Sequence, residues 1–62
     1  IPIETEEYRI VYDMQKESFR IRLKISRNSP QETKDALTNK ALEELRNIEI
    51  EEPIPHYVVY ID

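Results

Sequence analysis

Residues 19–25 read Phe-Arg-Ile-Arg-Leu-Lys-Ile, apolar at every odd position and basic at every even one. An unbroken period of two marks a strand with one dry face and one wet face. Tyr8 to Met14 alternates as well, with Tyr8, Ile10, Tyr12 and Met14 on one side and Arg9, Val11 and Asp13 on the other. Only the polar break Gln15–Ser18 separates the two runs, so they are expected to form an antiparallel hairpin over residues 8–26. Setting Met14 opposite Phe19 pairs Tyr12 with Ile21, Ile10 with Leu23 and Tyr8 with Ile25. A slip of one residue would turn arginines into the core, so the pattern resists it. The break lacks the Asn-Gly or Asp-Gly of the tightest turns, and a four-residue loop is expected.

The next signal is Asn28-Ser29-Pro30-Gln31-Glu32. Ser29 is placed to cap a helix, Glu32 to reach back to the cap, and Pro30 to occupy the first helical position at no cost in hydrogen bonds. The predicted helix covers 29–48. Leu37, Ala41, Leu45 and Ile48 share a stripe, with Leu42 at its edge, and Asn47 serves as the stop. A proline-stiffened connector, Ile48–Pro55, leads to a third strand over 56–61, and residues 1–7 read as an acidic lead-in. The expected fold is α+β with order β-β-α-β: a three-stranded antiparallel sheet and one amphipathic helix packed on one face. The third strand is placed beside the first, with parallel pairing to the second as the other option. The expected core is Tyr8, Ile10, Tyr12, Phe19, Ile21, Leu23, Ile25, Leu37, Ala41, Leu45, Ile48, Val58 and Tyr60.

What the chain lacks narrows its chemistry. At 62 residues it is expected to be one small domain with a marginal core. It has no cysteine, which removes disulfides, thiolate metal sites and thiol nucleophiles. It has no glycine, which removes glycine-rich phosphate loops, and a single histidine, His56, argues against a catalytic relay or a multi-histidine metal site. No catalytic residue, cofactor or metal is therefore assigned. No segment reads as a signal peptide or membrane span, which favours a cytoplasmic location and no membrane partner. A start at Ile1 rather than methionine suggests a domain trimmed from a longer chain.

Two features invite a partner. Residues 8–28 carry six basic against two acidic side chains within a chain of net charge −4. The basic face comprises Arg9, Arg20, Arg22, Lys24 and Arg27, and could follow a phosphate backbone or meet an acidic protein, or simply be solvated. The third strand is apolar on both faces, and a strand of that kind needs cover on both. Tyr57, Val59 and Ile61 are therefore expected to meet another chain, most simply a second copy in a homodimer. The carboxylates Glu4, Glu6, Glu7, Glu43, Glu44, Glu49, Glu51 and Glu52 lack the spacing of a calcium loop and read as solvated charge. His56, at a strand end, reads as structural. The resulting expectation is a non-enzymatic protein-interaction module. RNA or single-stranded DNA binding by the hairpin is the first alternative, and inhibition of a partner enzyme the second.

Overall fold

A computed structural model describes residues 2–62. Its elements are β1 (Ile3–Glu4), β2 (Tyr8–Asp13), β3 (Ser18–Leu23), α1 (Gln31–Asn47) and β4 (His56–Val59). The fold is α+β, with one helix packed against a mixed sheet of four strands ordered β1-β2-β3-β4. This corrects the expected three-stranded antiparallel sheet in two ways. The lead-in supplies a short strand, β1, antiparallel to β2, with Ile3 opposite Ile10 and Glu4 opposite Arg9. The last strand then lies parallel to β3, with Phe19 opposite His56 and Ile21 opposite Val58. The two corrections share a cause: β1 occupies the edge of β2 that the last strand was expected to take.

Thr5 is the residue that makes β1 possible. Its hydroxyl accepts the backbone N–H of Glu7 at 3.0 Å and of Tyr8 at 3.1 Å, closing a turn in which the Thr5 N–H also reaches the Tyr8 carbonyl. Short hydroxyl side chains compete for backbone donors in this way wherever the chain reverses.

The β2–β3 hairpin forms as expected but two residues out of the predicted register, with Tyr12 opposite Phe19, Ile10 opposite Ile21 and Tyr8 opposite Leu23. The loop is indeed four residues long, Met14 to Glu17. It starts early because the Asp13 carboxylate accepts the N–H groups of Gln15 and Lys16 at 3.0 and 3.2 Å, and Glu17 takes a left-handed φ of 49°. A shift of two residues is one full pleat, so every side chain keeps its predicted face.

The helix begins at Gln31 with Pro30 as its cap residue, and no side chain caps it. The expected Ser29–Glu32 capping box is therefore not formed; Ser29 instead donates its N–H to the Ser26 carbonyl at 3.0 Å within a turn. At the other end the left-handed residue is Glu49 (φ 68°), two positions beyond the expected stop at Asn47. The Ile50 N–H bonds the Leu45 carbonyl and the Glu49 N–H bonds the Arg46 carbonyl. That reciprocal pair is a Schellman motif, and Ile50 beyond it packs against the core cluster that contains Leu45.

Core packing follows the helix stripe and the inward face of the sheet. Tyr8, Ile10, Ile21, Leu23, Ala41, Leu45 and Ile54 are buried, with Ile3, Phe19, Ile25, Leu37, Leu42, Ile50, Val58 and Tyr60 packed against them. Burying Ile10, Ile21, Leu23 or Leu45 contributes about 1.5–3 kcal/mol each. Tyr12 and Ile48, both expected in the core, are each 46% exposed. Tyr12 pairs near the hairpin tip and makes an edge-on contact with Phe19 at 5.1 Å. Ile48 is the C-cap, where the chain leaves the helical path, and Ile50 and Ile54 from the connector pack against the core.

Candidate interaction surface

The cross-strand register sorts the sheet into rows. On the helix side runs Ile3–Ile10–Ile21–Val58, apolar across all four strands. On the opposite side run Glu4–Arg9–Arg22–Val59 and, next to it, Val11–Arg20–Tyr57. Among the described residues no second layer covers this open face; the one helix packs on the other side, against β2 and β3.

Three of the five expected basic residues come together here. Arg9, Arg20 and Arg22 line a depression of about 390 Å³ whose apolar lining is Val11 and Val59. Lys24 projects from the end of β3 and closes on β1, its Nζ donating to Glu4 Oε2 and to the Thr5 carbonyl, both at 2.7 Å. That ammonium holds the Glu4 carboxyl below its usual range, first through the hydrogen bond and then through its charge. Arg27 lies apart, on Asp62: its backbone N–H donates to the carboxylate at 2.9 Å and its guanidinium to the Asp62 carbonyl at 2.6 Å. The Ser26 hydroxyl donates to the same carboxylate at 2.6 Å, and that bond leads the causes that hold the Asp62 carboxyl low.

The three residues expected at a partner interface divide in a similar way. Val59 is half-buried and sits on the open face of β4. Tyr57 is half-buried on the same face, where its hydroxyl donates to Asp13 Oδ2 at 2.7 Å and Lys16 Nζ stands 4.5 Å from its ring. The bond to Asp13, with burial behind it, pushes the Tyr57 phenol up and the same bond pulls the Asp13 carboxyl down. Ile61 lies past the end of the strand, 52% exposed, with its N–H on the Ile25 carbonyl at 3.2 Å.

Sequence reasoning passed over a second depression, of about 340 Å³, lined by Arg27, Val58, Val59, Tyr60 and Asp62. Val58 and Tyr60, expected in the core, do pack against it, yet both also border this hollow. Val59 lines both depressions. The passed-over signal for the first was Val11, the single apolar residue among Arg9, Val11 and Asp13 on the outward side of β2. His56 is exposed, with its Nδ1 2.8 Å from the Ile54 carbonyl.

Among the described residues no group of three or more His, Asp or Glu side chains is placed to hold a metal ion, and no helix is long and apolar enough to cross a membrane. No protein-family model matches the chain, and no curated protein or solved structure compared with it is a match.

Proposed function

We propose that this protein is a non-enzymatic interaction module that takes up a strand of another chain along β4. The observation that carries this reading is the position of β4 at the end of the sheet, with half-buried apolar side chains on both of its faces. In a parallel ladder alternate residues turn their peptide groups to the neighbouring strand. The Phe19 N–H bonds the Pro55 carbonyl at 2.9 Å, so Pro55, Tyr57 and Val59 face β3 and the peptide groups of His56 and Val58 point outward. An added strand would satisfy those groups and extend both the apolar row ending at Val58 and the open-face row ending at Val59.

The incoming strand can come from a second copy, joining two sheets through β4, or from another protein of an assembly. Nucleic-acid binding on the basic face is less well supported. Aromatic stacking is the usual means of holding single strands, yet Tyr12 and Phe19 lie on the helix-side face and Tyr57 is engaged by Asp13 and Lys16.

Sedimentation equilibrium over a concentration series, with His56→Pro as control, tests the reading. The substitution removes an outward N–H and leaves the β3 ladder intact. A mass that rises with concentration and is held at the monomer by His56→Pro identifies a second copy. A monomer that binds extended peptides, and loses them in His56→Pro, identifies a different protein. A monomer that does neither overturns the module.

A further inference from the structure

Antiparallel pairing sets Arg9 directly opposite Arg22 on the open face, and like charges facing one another across a ladder are destabilising. Arg20 joins them around the same depression. Among the described residues the one carboxylate within ion-pair distance of this trio is Glu4, 3.9 Å from Arg9 and already held by Lys24 at 2.7 Å. Elsewhere Arg27 pairs with Asp62, Lys40 with Glu7, and Arg46 with both Glu43 and Glu52, while Lys16 and Lys34 stand singly over the rings of Tyr57 and Tyr60. With 13 acidic against 9 basic side chains there is no shortage of acids. Three arginines gathered beside a single shared carboxylate belong to this place.

Val59 connects that charge to the free edge, because it lines the arginine depression and the hollow beside β4 alike. A strand laid along β4 would send every second side chain to the open face. Those side chains would stand two strand spacings, about 10 Å, from the backbone of Arg20 and Arg22. A glutamate and an extended arginine span that distance together.

We infer that the strand taken up by β4 is acidic, an extended segment of a partner protein with Asp or Glu at alternate positions. Its carboxylates meet Arg20 and Arg22 in forked, charge-assisted hydrogen bonds, with the charge of Arg9 behind them, and its aliphatic carbons rest on Val59. This rests on the β4-edge reading and names the chemistry of the partner. A second copy answers the arginines poorly. Its own β4, His-Tyr-Val-Val, brings no carboxylate, and two-fold pairing would place a second arginine set on the same continuous face.

Fluorescence anisotropy with a short labelled peptide alternating glutamate and valine tests the inference. Glutamine–valine and lysine–valine peptides and a single-stranded oligonucleotide serve as competitors for the full chain, Arg20→Gln/Arg22→Gln and His56→Pro. Both arginines are exposed, and circular dichroism verifies that the variants fold. The glutamate peptide is expected to bind about tenfold more tightly than its glutamine counterpart, and the double variant to lose about that factor. Added salt should weaken the complex. Equal binding of the glutamate and glutamine peptides would leave the edge reading standing and overturn the acidic partner. Glutamate binding that survives His56→Pro but not the arginine variant would overturn pairing along β4. Tighter binding of the oligonucleotide, or no binding of the glutamate peptide, would overturn the inference outright.

Discussion

Tyr57 and Asp13 lie 44 positions apart and meet at 2.7 Å, the phenol of β4 donating to the carboxylate that also opens the β2–β3 loop. One side chain thus joins the last strand to the turn that set the hairpin register. The bond to Tyr57 is the leading cause of the lowered Asp13 pKa, and the reciprocal bond is the leading cause of the raised Tyr57 pKa.

The pH dependence of stability follows from these directions. A carboxylate whose folded pKa is depressed stabilises the fold above its unfolded pKa and loses that contribution as pH falls through the folded value. Asp13, Glu4 and Asp62 all titrate low, so thermal stability is expected to be level near neutral pH and to decline in acid. Tyr57→Phe should return the Asp13 titration, followed by carboxyl NMR, toward the ordinary range. An unmoved Asp13 titration would show that the hydrogen bond is not its cause. In base the sign reverses. The raised Tyr57 phenol contributes fully below its unfolded pKa, and that contribution is lost as pH rises through the folded value.

Leu45 lies between helix and sheet, 1% exposed. Leu45→Ala is expected to cost about 2–5 kcal/mol in urea denaturation. A chain of this length has roughly 3–9 kcal/mol to lose, so the substitution should remove a substantial share of that total. Leu42→Ala, at the half-buried edge of the stripe, should cost markedly less.

Glu49 holds a φ of 68°, where a side chain with a Cβ is strained and glycine is not. Glu49→Gly should therefore raise stability by about 0.5–1 kcal/mol despite the added freedom of the unfolded chain. Glu49→Ala keeps the Cβ and should not.

Lys24 ties β1 to the rest of the sheet through Glu4 and the Thr5 carbonyl. Lys24→Met should loosen that corner alone. Hydrogen exchange is expected to quicken at the Thr5 amide, which bonds the Tyr8 carbonyl, and to stay slow within β3.

The sequence exposed face assignments far better than it exposed neighbours. Alternation placed Ile10, Ile21 and Leu23 inside and Arg9, Arg20 and Arg22 outside because side-chain direction is a local property of the pleat. The partner of each residue depended on Asp13 drawing the turn forward, a hydrogen bond between a side chain and two later amides that leaves no trace in hydropathy. β1 escaped notice for a similar reason. At two residues it is too short to show a period, and it exists through the Thr5 turn. Once β1 is in place the parallel addition of β4 follows, but only from the three-dimensional arrangement. The candidate surface was legible in part. Arg9, Arg20, Arg22, Tyr57 and Val59 could be named from patterning alone, whereas the separation of Lys24 and Arg27 from them came from where Glu4 and Asp62 happen to stand.

The parallel seam between β3 and β4 also sets an order of assembly. The β2–β3 ladder closes over a short loop, while β4 reaches β3 only after the whole of α1 has been laid down between them. Contacts so distant along the chain form late and open early. The strand that offers its edge to a partner is thus also one that can detach while the β1-β2-β3 ladder stays paired. A ligand pairing with β4 would act as its missing second neighbour, and binding would be read as protection of a segment that otherwise exchanges ahead of the β2–β3 hairpin.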